Sequence, residues 1–137
     1  MKTHIRVVAA ALFDPEGRVL IAQRPAGRHM AGRWEFPGGK LEEGESQRAA
    51  LDRELAEELG VEVEDARHLM TLAHEYPDRA VELSLWRVMR SAGQPRALDG
   101  QRLKWVHPER LGTEDILEAD RPFIDALRGE AIGSTPD

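Results

Sequence analysis

The feature that most constrains this chain is the run Gly39–Val61, GKLEEGESQRAALDRELAEELGV. It sets Gly39, Glu45, Arg53, Glu54, Glu57, Glu58 and Gly60 at fixed offsets, with Leu55 and Val61 as apolar punctuation. A helix turns once every 3.6 residues, so Glu54, Glu57 and Glu58 project from one face and repel one another. A hard divalent ion, which takes oxygen ligands and works with phosphate groups, is the simplest remedy, and the cluster reads as a magnesium site. Arg53 can hold a neighbouring carboxylate bidentately and fix its rotamer. Glu45 suits the positive end of the helix dipole. Gly60 falls where the helix needs a left-handed cap, and Gly38-Gly39 permits a tight turn that offers a bare carbonyl. The competing reading is a solvated Glu-rich face, and it has to account for every offset at once.

The spacing Gly39, five residues, Glu45, seven residues, Arg53-Glu54-Leu55, one residue, Glu57-Glu58, one residue, Gly60-Val61 resembles the Nudix box at every specified position. The resemblance implies an α/β fold, an α/β/α sandwich with a central mixed β-sheet. It also implies hydrolysis of a nucleoside diphosphate linked to another group, with Mg²⁺, or Mn²⁺ in its place, held on the box helix.

The 137 residues fit one domain, 1–129, followed by a frayed tail over 130–137. A net charge of -6 disfavours binding to polymeric nucleic acid, which needs a basic stripe. Much of the acidity lies between Glu42 and Glu64, so an anionic substrate has to be reached through metal ions. The absence of cysteine excludes disulfides, thiolate metal sites and a cysteine nucleophile. The five histidines show no metal-ligand spacing. With no apolar run of spanning length and no signal peptide, the expectation is a cytoplasmic protein with no membrane partner, a monomer or weak dimer.

Ile5–Phe13 and Val19–Ala22 read as two strands joined by a hairpin-like turn at Asp14-Pro15-Glu16-Gly17. Pro25–Gly32 is a loop. Ser46–Leu59 is an amphipathic helix with Ala49, Ala50, Leu55, Ala56 and Leu59 on its apolar side. Val61–His74 and Ala80–Val88 form a second hairpin about Tyr76-Pro77-Asp78-Arg79. Leu103–His107 is a short strand. A last helix, capped by Asp120 with Pro122 in its first turn, ends at Leu127 or Arg128.

Beyond the box, Gln23-Arg24-Pro25, His29-Met30-Ala31, Trp34–Lys40 and Tyr76–Arg79 resemble the MutT branch, whose members cleave oxidised purine nucleoside triphosphates, such as 8-oxo-dGTP, to the monophosphate and pyrophosphate. That likeness implies a role in nucleotide-pool cleansing, in support of DNA repair and replication, with attack in line at the β phosphorus. Carried over residue by residue, it implies metal contacts from the Gly38 carbonyl, Glu54, Glu57 and Glu58, and a catalytic contribution from Arg53. Asp99 falls where the branch usually has glutamate, and is either an oxygen ligand or a turn residue. Arg24, His29, Phe36, Asp78 and Arg79 are implied to bind substrate, the plainer reading of the first two being a surface arginine and a loop histidine. Phe36, with Ile5, Val7 and Tyr76, is either a wall for the base or core.

Asp120 departs from the branch, which commonly carries an asparagine there to read the oxidised base. Asparagine donates and accepts, whereas ionised aspartate only accepts. Aspartate imitates it only if burial keeps its proton on. Glu45-Ser46-Gln47-Arg48 and Leu20–Pro25 also resemble cytidine triphosphate pyrophosphohydrolases, which makes CTP or dCTP the alternative substrate. Two further readings are ADP-ribose hydrolysis and a non-catalytic nucleotide-sensing module. The module is disfavoured because every box carboxylate is present.

Overall fold

A computed structural model describes residues 2–133. The chain forms two compact units, each built from two separate stretches: Met1–Ala10 with Pro37–Asp99, and Ala11–Phe36 with Gly100–Asp137. No described helix is long and apolar enough to cross a membrane.

The first unit carries a four-stranded sheet. Its strands are β1 (Thr3–Leu12, whose last two residues belong to the second unit), β4 (Gly38–Lys40), β5 (Glu62–Glu75) and β6 (Arg79–Ala92), in the order β4-β1-β6-β5. β1 and β4 pair antiparallel through Val7↔Lys40, Val8↔Gly39 and Ala9↔Gly38. The β5–β6 hairpin extends past its expected ends, to Glu75 and Ala92, and closes with the Tyr76 amide donating to the Arg79 carbonyl at 2.7 Å.

Helix α1 (Gln47–Leu59) starts where Ser46 Oγ accepts the Ala49 amide at 3.1 Å and stops at Gly60, whose φ of 68° is the left-handed cap that its sequence position predicts. Its buried residues are Ala50, Leu51, Leu55 and Leu59. Ala49 and Ala56, expected on that side, are exposed. The seam follows the i+4 row of Leu51, Leu55 and Leu59, and one residue off that row turns a side chain by about 100°.

The second unit carries a three-stranded sheet, β3 (Trp34–Glu35), β2 (Val19–Gln23) and β7 (Arg102–Val106), in the order β3-β2-β7. The pairs β2–β3 and β2–β7 are antiparallel, and one parallel bridge joins Trp34 to Ile116. Val19, Leu20 and Ile21 are fully buried, which explains an apolar run without alternation. The hairpin-like connection expected between the first two strands is reduced to a bridge, Phe13↔Val19, because β1 and β2 enter different sheets. Its turn is held by Asp14, whose Oδ1 accepts the amides of Glu16 and Arg18 at 3.0 and 2.8 Å.

Asp120 does not cap a helix. It ends a short 3₁₀ segment, Glu118–Asp120, and its carboxyl turns inward. Helix α2 runs Phe123–Gly133, so Pro122 precedes the helix, and residues 129–133 continue it beyond the expected end. Residues 134–137 of the expected tail lie outside the described residues.

Candidate active site

In the first unit the site is organised by a cation. Arg53 donates from Nε and Nη2 to Glu45 Oε2 and Oε1 at 2.8 and 2.9 Å, a bidentate fork. Its Nη1 reaches Glu54 Oε2 at 3.0 Å and Glu57 Oε1 at 3.4 Å, and Nη2 also donates to the Lys40 carbonyl at 3.0 Å. The hydrogen bond from Arg53, then the Glu42 amide, pull the Glu45 carboxyl down to about 2. The Glu45 bond, reinforced by Glu54, raises the proton affinity of Arg53 further above its ordinary value.

The repulsion expected of the acidic face is therefore met first by Arg53. Among the described residues no three His, Asp or Glu side chains form a ready-made metal cluster. The donors nonetheless fit a hard divalent cation chemically: they are all oxygens, Glu54 is half-buried and Glu57 exposed, so hydration is retained around them. Glu58 sits one turn beyond Glu54 and anchors the neighbouring loop, its backbone carbonyl accepting the Leu98 amide at 3.1 Å.

The two glycines ahead of the box are required by contact. A Cβ on Gly38 would strike the Val8 carbonyl oxygen and lie 2.9 Å from Ala9 Cα, while one on Gly39 would strike the Glu54 carboxylate. The bare Gly39 is thus what lets Glu54 lie against the backbone.

The remaining expected residues of this unit are more dispersed. Asp99 is exposed in the turn before β7. Asp78 and Arg79 lie at the tip of the long hairpin, where Arg79 pairs with Asp78 at 3.4 Å and its guanidinium stacks 4.2 Å from the Tyr76 ring centroid.

The second unit gathers Arg24, Phe36 and Asp120, and adds a residue that sequence reasoning missed. Arg24 donates from Nε and Nη2 to Glu35 Oε1 at 3.2 and 3.1 Å, and from Nη1 to the His29 carbonyl at 3.0 Å. His29 thus acts through its backbone, and its side chain is exposed. Phe36 is buried, 6.3 Å from Phe123 between ring centroids, and its amide donates to Asp120 Oδ2 at 3.0 Å. Asp120 is 7% exposed. Burial pushes its carboxyl up to about 7, against the Phe36 hydrogen bond and with the help of the Glu35 charge. Glu35 itself is raised by burial, and Arg24 offsets part of that rise. The available signal for Glu35 was an acid set between Trp34 and Phe36. A cavity of about 440 Å³ opens beside Arg24, lined also by Gln23, Gly32 and Arg102.

Comparison with known proteins identifies the family of this chain. The NUDIX domain family model matches residues 8–126. The CTP pyrophosphohydrolase of Escherichia coli is 41% identical over 120 residues, 88% of this chain and 89% of that protein. A putative 8-oxo-dGTP diphosphatase 2 of Mycobacterium tuberculosis is 43% identical, covering 96% of this chain and 94% of its own. A MutT structure, from work on Aliivibrio salmonicida and Vibrio cholerae, superposes with a TM-score of 0.82 at 30% identity, over 93% of this chain and 99% of that one. The α/β fold expected of the sequence is the fold of these relatives, and the chain belongs to the Nudix family, as a MutT-like hydrolase.

Proposed function

We propose that this pyrophosphohydrolase acts on oxidised purine nucleoside triphosphates such as 8-oxo-dGTP, releasing the monophosphate and pyrophosphate, in cytoplasmic nucleotide-pool cleansing. The observation that carries the reading is Asp120, a buried carboxyl that accepts the Phe36 amide on one oxygen and holds its proton to about pH 7. In that state its other oxygen donates. The group then offers one donor and one acceptor, which is what the O6 and N7–H edge of an oxidised guanine requires.

Two observations favour CTP or dCTP as a second reading. One is the 41% identity to a protein named CTP pyrophosphohydrolase. The other is that Asp120, once ionised, becomes an acceptor for the cytosine amine.

The residues that would hold Mg²⁺ are the Gly38 carbonyl, Glu54, Glu57 and Glu58, and an ion bound there supplies charge neutralisation and Lewis-acid polarisation of phosphate oxygens. Arg53 fixes the orientation of Glu54 and Glu57 through Nη1, while Glu45 grips the other edge of its guanidinium. Asp99 is the further carboxylate proposed to serve this chemistry. Within the second unit Arg24, His29 and Phe36, with Asp120, are the residues proposed to bind the nucleotide, and within the first unit Asp78 and Arg79 are proposed for substrate binding.

The test is the specificity constant with Mg²⁺ for 8-oxo-dGTP, dGTP, CTP, dCTP and ADP-ribose, with the phosphate product identified in each case. A preference for 8-oxo-dGTP with pyrophosphate release supports the reading. A preference for CTP moves the protein to the pyrimidine alternative, and turnover of none of the triphosphates overturns both.

Asp120 also makes a stability prediction. The folded state keeps its proton to about pH 7, whereas an unfolded aspartate releases it near 3.8. The folded chain therefore binds the extra proton across that window, and stability is lost as pH rises through it, by roughly 4 kcal/mol at about 1.4 kcal/mol per tenfold change in proton affinity. Asp120→Asn removes this share. Urea unfolding at intervals from pH 4 to pH 8 is expected to show the variant gaining on wild type as pH rises; parallel curves would mean that Asp120 is ionised throughout.

A further inference from the structure

The charged groups around Asp120 form a chain in sequence and in space. Glu35 immediately precedes Phe36, whose amide binds Asp120 Oδ2, and Glu35 faces Ala22 across the β2–β3 ladder. Its carboxylate takes two of the donor positions of Arg24, and a third goes to the His29 carbonyl. The hairpin beneath is closed at its open end by mutual backbone bonds, the Arg24 amide to the Arg33 carbonyl at 2.9 Å and the Gly32 amide to the Arg24 carbonyl at 3.0 Å. The Arg24 guanidinium is therefore held by two partners, Glu35 and the His29 carbonyl, at the wall of the cavity.

We propose that Glu35 is a positioning residue for base recognition, fixing the Arg24 guanidinium beside the cavity and placing a negative charge next to Asp120 that governs which hydrogen-bonding pattern the base meets. This deepens the proposed function and rests on its assignment of base reading to Asp120.

The groups that face this chain of charges are few. Arg24 acts on both carboxyls and lowers their proton affinity, and Arg28, in the loop, lowers that of Glu35. The Phe36 amide favours ionised Asp120, whereas the Glu35 charge favours protonated Asp120. Near Asp120 in sequence, Glu118 is exposed, and Arg121 donates from Nη2 to the Glu114 carbonyl at 3.2 Å. With Glu35 ionised and paired to Arg24, a like charge sits close to Asp120 and delays its ionisation. With Glu35 neutral, Arg24 keeps an acceptor but loses its counter-charge, so its positive charge acts on Asp120 unopposed, promoting ionisation. One carboxylate thus biases the site between a donor-plus-acceptor pattern and an acceptor-only pattern.

The decisive variant is Glu35→Gln, which keeps the shape and one acceptor for Arg24 but removes the charge. Carbon-detected NMR titration of the Asp120 carboxyl in the free protein is expected to show its midpoint falling by about half a pH unit or more, below the roughly one to three units of a charge in direct contact. In turnover of 8-oxo-dGTP, KM is expected to rise about three- to tenfold, the loss appearing in KM more than in kcat. The alkaline limb of kcat/KM should move down in pH with the NMR midpoint. Glu35→Asp, which retains the charge, should restore the midpoint, and it carries the test if the glutamine variant does not fold. An Asp120 midpoint unchanged in Glu35→Gln, or one that falls equally in Glu35→Asp, overturns the proposal. The function reading fails separately: Asp120→Asn would then show the wild-type pH profile and substrate ranking, while the NMR midpoint still reports on Glu35.

Discussion

Glu57→Gln is expected to lower kcat by about three orders of magnitude, the scale of the several kcal/mol that a metal ligand contributes to phosphoryl chemistry, at about 1.4 kcal/mol per tenfold. The fold should scarcely notice. The Glu57 side chain is 61% exposed, and its contact with Arg53 Nη1 is a long 3.4 Å. Exposed pairs of this kind contribute about 0–1 kcal/mol, and glutamine and glutamate have nearly equal helix propensity. The melting temperature should therefore fall by no more than about 3 °C. Glu54→Gln supplies the contrast, because that side chain is 16% exposed and shares Arg53 at 3.0 Å. It should lose comparable turnover and more stability. Kinetics with Mg²⁺ and a thermal melt of each variant check both statements. Wild-type turnover in Glu57→Gln would sink the metal-site assignment.

Gly38→Ala is expected to destabilise the protein by about 3–6 kcal/mol, combining overpacking against backbone with strain at a positive φ. The φ of Gly38 is 154°, and the added methyl would drive into the Val8 carbonyl oxygen and to 2.9 Å from Ala9 Cα. Neither atom can yield, since Val8 is fully buried and the β1–β4 register fixes this stretch through Ala9↔Gly38. The melting temperature should drop by about 10–20 °C or the protein should fail to accumulate. Gly39→Ala should behave differently. Its methyl meets first the Glu54 carboxylate, the far end of a flexible side chain, which swings away. That variant should fold with a modest loss of stability and a large loss of turnover. A Gly38→Ala protein that melts with wild type would contradict the close approach of the two strands.

The parts of the fold that were legible in the sequence are those written locally. Ser46 and Gly60 bound α1 because a hydroxyl acceptor and a left-handed glycine act on their own backbone neighbours. The turn at Tyr76–Arg79 and the strand runs were legible for the same reason. The Arg53 fork was foreseen as a chemical possibility, and its reach to Glu45, eight residues away, follows once the helix forms. What sequence could not show depends on distant partners. Asp120 looked like a helix cap until the Phe36 amide, 84 residues away in the chain, was seen to take its carboxyl. Glu35 passed as one letter of a motif because its partner Arg24 lies across a loop. Ala49 and Ala56 face outward because alanine is apolar enough for either side of a helix, and the leucine row decides which side is covered.

The interleaving of the two units fixes an order of events as the chain leaves the ribosome. Val19–Gln23 emerges early, yet its hydrogen-bonding partner Arg102–Val106 is made some eighty residues later, and Trp34 waits for Ile116. The intervening stretch Pro37–Asp99 holds most of the first unit, and its long β5–β6 hairpin is a local pairing that needs nothing downstream. Synthesis therefore leaves a mostly apolar strand without its β7 neighbour until the final quarter of the chain arrives, the slow step expected of non-local pairing. Truncation ahead of Arg102 would leave Val19–Gln23 without that partner permanently, making the nascent or nicked protein a substrate for chaperones rather than a smaller enzyme.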